Sequence, residues 1–87
     1  KGQTMESEEQ DYKNAMRAFY NKYIKMRKIY NMRLYDMSCA RGMEIKIYRE
    51  TLSGKTVVVD VQEENETQCY KRALEELESY ETIIATA

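Results

Sequence analysis

The 87 residues contain no histidine, no proline and no tryptophan, and only three glycines, two cysteines and one phenylalanine. Each shortage removes a class of chemistry. Without His the usual general base near neutral pH is missing, and neither cysteine has a base beside it to complete a nucleophilic pair. Cys39 and Cys69 stand alone, with no CxxC spacing, which excludes a Cys/His zinc site. Their even number leaves a Cys39–Cys69 disulfide as one reading; two buried thiols of a cytosolic domain are the other. No run approaches the ~18 apolar residues that cross a bilayer, and no signal-peptide pattern is present. A cytoplasmic protein without membrane contact is the expectation. A secreted protein or mature fragment is the alternative, since the chain opens on Lys1 and Met5 is a candidate start behind four preceding residues.

Other chemical motifs are equally sparse. Glu63/Glu64 and Glu75/Glu76 are sequential neighbours that read as a solvated face rather than an acid/base pair, and no EF-hand spacing occurs. Gly54-Lys55-Thr56 spells part of a phosphate loop, but the upstream glycine is missing and the context is a hairpin turn. The expectation is a protein that is not an enzyme and holds no cofactor or metal.

What is present is a folded composition, 43% apolar and 33% charged, enough for one small domain over residues 9–87 behind a flexible lead-in over 1–8. Its charge is strongly partitioned. Residues 13–49 hold ten Lys/Arg (Lys13, Arg17, Lys22, Lys25, Arg27, Lys28, Arg33, Arg41, Lys46 and Arg49) against Asp36 and Glu44, leaving four of the 14 basic and 13 of the 15 acidic residues elsewhere. The net charge of −1 therefore says little about partners, whereas a basic segment does.

Ser7 with Gln10 matches a capping box ahead of a helix. Tyr12, Met16, Phe19, Tyr23, Met26, Tyr30, Leu34 and Met37 then recur at spacings of three and four, a period of about 3.6 residues. Ala15, Tyr20, Ile24 and Ile29 widen the stripe. The helix is expected to end near residues 38–42, with Arg41 at its negative pole and Gly42 just beyond its last turn. On such a helix Arg33 intrudes on the apolar seam, snorkelling or paired with a carboxylate in one reading and facing a ligand or partner in the other.

Two β-branched runs follow, residues 43–49 and 56–61. A three-residue loop, Leu52-Ser53-Gly54, pairs Ile45 with Val61, Ile47 with Val59 and Arg49 with Val57 on the core face, and Lys46 with Asp60 and Tyr48 with Val58 on the other. Asn65, with Gln68 three residues on, then caps a second helix, whose inner stripe is Cys69, Ala73, Leu77, Tyr80 and Ile84, widened by Tyr70, Leu74 and Ile83. Glu75, Glu76, Glu78 and Glu81 form its outer face.

The fold class is therefore α+β, in the order α-β-β-α, with both helices across the Ile45/Ile47/Val57/Val59/Val61 face. A two-stranded sheet is marginal and leaves both edges open; pairing with a second copy into a four-stranded sheet closes one of them. This makes a homodimer the expected partner arrangement, with Val58, Tyr48 and Met32 as self-association residues. Met32 and Tyr35 fall off the helical stripe and join Ile24 in a second apolar patch. The favoured function is a non-catalytic protein-interaction module that self-associates. The alternative is nucleic-acid binding through Lys13, Arg17, Lys25 and Lys28 as phosphate contacts, with Tyr35 as a stacking residue. Three other readings compete with it: a solvated helix face, neutralisation of the basic helix by the acidic one within one molecule or between two subunits, and an acidic protein partner.

Overall fold

A computed structural model describes residues 2–39 and 42–86, and the side chains of 7–35 and 42–85. Arg41 and the side chains of Met37 and Cys39 lie outside the described residues. The element order is α1 (Gly2–Tyr30), β1 (Met32–Cys39), β2 (Gly42–Thr51), β3 (Gly54–Glu63) and α2 (Glu66–Thr86). The three strands form an antiparallel meander with β2 in the centre. The class is α+β as expected, but the sheet gains a strand at the expense of the first helix.

That helix stops at Asn31 rather than near residues 38–42. Among the described residues Asn31 is the only non-glycine one with positive φ, at 55°, a conformation that Asn tolerates better than most residues. Its N–H donates to the Arg27 carbonyl (3.2 Å) and its own carbonyl accepts from the Glu50 N–H (3.2 Å). One residue thus closes the last helical turn and ties it to β2. At the other end α1 begins at Gly2, so Ser7 lies inside the helix rather than at its cap. Gly42, expected just past the helix, opens β2 instead. Its φ is +133°, and a Cβ there would fall 2.2 Å from the Glu63 carbonyl oxygen.

The inner face of the sheet carries Met32, Met43, Ile45, Ile47, Val59 and Val61, all buried, against Ala15, Phe19, Tyr23 and Met26 of α1 and Cys69, Tyr70, Ala73 and Leu77 of α2. Ile45–Val61, Lys46–Asp60 and Ile47–Val59 pair as expected, but beyond Ile47 the register shifts. Val58 becomes the extra residue of a bulge, Tyr48 pairs with Val57 and Arg49 with Thr56. The turn shortens to Leu52-Ser53, closed by the Thr51–Gly54 pair and by Thr51 Oγ1 donating to the Gly54 carbonyl (3.1 Å). The bulge turns Val57 outward, leaving it 54% exposed, so it leaves the expected core face. Ile24, Ile29 and Ile83 are exposed as well and do not widen their stripes.

Cys69 is a buried thiol whose Sγ donates to the Met43 carbonyl (3.3 Å), joining α2 to β2. Asn65 caps α2 as its sequence indicates, with Oδ1 accepting from the Gln68 N–H at 3.0 Å. Asn65→Ala is expected to cost about 1 kcal/mol and Asn65→Asp to cost far less, as read from urea denaturation followed by far-ultraviolet circular dichroism.

Candidate functional site

The charge split resolves into specific pairs. Between the helices, Lys22 meets Glu81, and Lys71 meets Asp11 at 3.2 Å, so α1 and α2 run in the same direction. Within elements, Lys13 lies 3.4 Å from Glu9 and Lys46 lies 3.9 Å from Glu44. Arg33 pairs with Glu50 across β1 and β2, and Arg72 with Glu63. That last contact raises the Arg72 pKa further, chiefly through the hydrogen bond to Glu63 and then through its charge. Arg49 donates to the Tyr80 hydroxyl (3.1 Å), its guanidinium 5.3 Å from the Tyr30 ring centre. The exposed ion pairs among these contribute little to stability, because solvent screens them.

The acidic helix therefore answers one cation of α1, Lys22. Arg17, Lys25, Arg27 and Lys28 are exposed and make no ion pair or side-chain hydrogen bond among the described residues. No Asp or Glu lies between Asp11 and Asp36 in the sequence. Arg27 and Lys28 occupy the last turn of α1, where the helix dipole favours them by about 0.3–1 kcal/mol. Arg17 and Lys25 lack even that support.

Arg17, Asn21, Ile24 and Lys28, at spacings of four, three and four, form one ridge opposite the buried stripe of Phe19, Tyr23 and Met26, with Lys25 beside it. Three of the expected basic contacts, Arg17, Lys25 and Lys28, thus share a surface with the half-exposed Ile24, while Lys13 lies one turn earlier, engaged with Glu9. Tyr35 does not join them. It sits on β1 opposite Lys46, on the sheet face turned away from the core, so the apolar patch expected from Met32, Tyr35 and Ile24 does not form. Met32, expected to be exposed, is only 2% so and belongs to the core. Tyr48 lies on the outer sheet face next to Arg33, and Val58 packs from its bulge against the core. The three self-association residues therefore share no surface.

The two sheet edges differ. On β3, the Asp60 N–H points outward and donates to Glu76 Oε1 of α2 (3.2 Å), so a carboxylate covers the middle of that edge. On β1, the Glu50–Asn31 bond sets the alternation of an antiparallel pair: the Asn31 carbonyl and the backbone groups of Arg33 and Tyr35 turn to β2, Met32 and Leu34 turn theirs outward. Neither Met32 nor Leu34 has a partner for those groups among the described residues. Beside this edge Tyr23, Arg27, Asn31, Met32, Arg33 and Leu34 line an open depression of about 490 Å³. Nothing in the sequence pointed to it, because it exists only once β1 is a strand.

Among the described residues no group of three or more Cys, Asp and Glu is placed to hold a metal ion, and no helix is long and apolar enough to cross a membrane. No protein-family model, curated protein or solved structure matches this chain.

Proposed function

We propose that the chain is a non-catalytic interaction module whose partner is an acidic protein surface, met by the outer face of α1. The observation that carries this reading is the set of unpaired cations, Arg17, Lys25, Arg27 and Lys28, around the exposed Ile24 and Ile29. Neutralisation by α2 stops at Lys22, so the remaining charge is available to a partner. Exposed isoleucines between the cations suit a protein partner, because apolar area adds affinity that salt does not screen. Self-association through this face would set like charges together. A dimer through β3 would have to displace Glu76 from Asp60.

The second reading is nucleic-acid binding, favoured by the Arg17–Asn21–Lys28 ridge, whose residue types suit phosphates. Fluorescence anisotropy separates the two. An amphipathic acidic helical peptide of Glu and Leu is expected to bind, to keep part of its affinity at ~0.3 M salt, and to lose about tenfold on Arg17→Glu with Lys28→Glu. A 20-nucleotide RNA or DNA bound more tightly than the peptide, with affinity falling steeply as salt rises, would favour the second reading. Indifference of both probes to the double substitution would remove this face from either role.

A further inference from the structure

The outward edge of β1 has unpartnered backbone groups at Met32 and Leu34 among the described residues. Buried or half-buried strands with unpaired N–H and C=O groups are templates for another strand, and proteins that do not use such edges cover them. This one covers the middle of the β3 edge, by Glu76 on Asp60 N–H, and among the described residues leaves β1 uncovered at Met32 and Leu34. The surroundings of that edge are not neutral. Arg27 of α1 lines the depression from the helix side with no counter-ion among the described residues, and Arg33, 71% exposed at its side chain, lies on the opposite face of β1 in contact with Glu50. A strand added here would have a guanidinium on each face. The stretch ends at Tyr35, before the next acid, Asp36.

We infer that the β1 edge, over Met32 and Leu34, accepts an extended acidic segment of a partner protein as a fourth strand. Main-chain hydrogen bonds to Met32 and Leu34 would supply affinity, and carboxylates of the segment facing Arg27 and Arg33 would set specificity. The half-buried Leu34 offers one apolar contact on the helix side, in a depression whose lining is otherwise mainly polar. This rests on the reading that the partner is an acidic protein, and it adds a conformation and a place to that reading.

The test uses the whole chain and a ten-residue peptide of the repeat Glu-Glu-Val-Val, which places carboxylates and apolar side chains on both faces of the added strand. Leu34→Pro deletes an outward donor while leaving the β1–β2 hydrogen bonds intact, the one arrangement in which an edge strand tolerates proline. Arg27→Glu reverses the adjacent charge at an exposed site with no structural partner. Each is expected to weaken peptide binding about tenfold or more, with unchanged far-ultraviolet circular dichroism. In the unmodified protein, the Leu34 amide is expected to gain hydrogen-exchange protection on peptide addition. If Leu34→Pro unfolds the protein, Arg27→Glu and the exchange of Leu34 decide the matter alone.

Binding that survives Arg27→Glu and leaves Leu34 exchange unchanged overturns strand addition. If the acidic helical peptide still depends on Arg17 and Lys28, the wider reading stands without it. Failure of both peptides to bind overturns both. A protein that sediments as a dimer, and as a monomer when Leu34 is proline, would name a second copy as the occupant and overturn the acidic partner.

Discussion

Phe19→Ala is expected to destabilise the domain by about 3–5 kcal/mol. A domain of this length has a total stability of only about 4–13 kcal/mol, so much of the population would unfold at 37 °C. The lone phenylalanine is fully buried. It lies parallel to Tyr23 (ring centres 6.2 Å apart, 8° between planes), edge-on to Tyr20 at 5.1 Å, and 5.6 Å from Tyr70 of α2. Two of those neighbours belong to α1 itself and cannot move into the space without unwinding the helix, so the cavity would persist. Among the described residues Tyr70 would lose its ring contact with Phe19 and keep those with Tyr12 and Tyr20 at 5.9 Å each. Urea denaturation supplies the check, with Phe19→Leu as the volume-sparing control. A loss below about 1 kcal/mol for the alanine variant would mean that the ring cluster does not hold the two helices together.

Gly42→Ala is expected to cost about 3 kcal/mol or more. The added methyl would lie 2.2 Å from the Glu63 carbonyl oxygen and 2.6 Å from Glu64 Cα. Both obstacles are backbone atoms, and Glu63 is held in register opposite Met43. Relief therefore requires shifting the end of β3 just ahead of the Asn65 cap. Gly54 offers the matched comparison: its φ of +128° carries similar strain, but nothing lies within 4 Å of the added Cβ. Gly54→Ala should cost only the conformational part, about 1 kcal/mol. Equal losses for the two variants would show that crowding at Glu63 contributes nothing.

The second half of the fold was legible because its signals agree. Asn65 and Gln68 fit a cap, Cys69, Ala73 and Leu77 recur at helical spacing, and all three are buried. The centre of the β2–β3 pair was equally readable, since Lys46 and Asp60 mark the solvent side between Ile45, Ile47, Val59 and Val61. At the valine run 57–59 that marking stops. Three like residues carry no parity, so the sequence could not announce that Val58 is the extra one and that Val57 turns out.

The first half misled for a different reason. Leu34 and Met37 continue the helical spacing from Tyr30, yet Leu34 also faces the core as a strand residue two beyond Met32. Periodicity could not separate the two, and the deciding residue was Asn31, whose ability to adopt positive φ is a tendency rather than a requirement. With β1 read as helix, Met32 fell on the wrong side, Arg33 looked like a flaw in a seam, and the open strand edge was invisible. Arg17, Lys25 and Lys28 fall on the exposed face of α1 as read, because that part of α1 is helical in both readings.

The alignment of α1 with α2 also fixes the order in which the chain can fold. Asp11 and Lys71 are 60 positions apart, whereas the strand pairs of the meander join near neighbours such as Cys39 with Gly42 and Thr51 with Gly54. Loop-closure entropy makes such short-range pairs the earlier event and helix docking the later one. During synthesis α1 emerges first, and its Tyr12, Met16 and Phe19 have no Tyr70 to meet until α2 leaves the ribosome. Until α2 is made, the nascent chain therefore carries α1 without the Tyr70 it packs against. Its cations, with no acid to answer them between Asp11 and Asp36, keep that helix charged and hydrated through the interval.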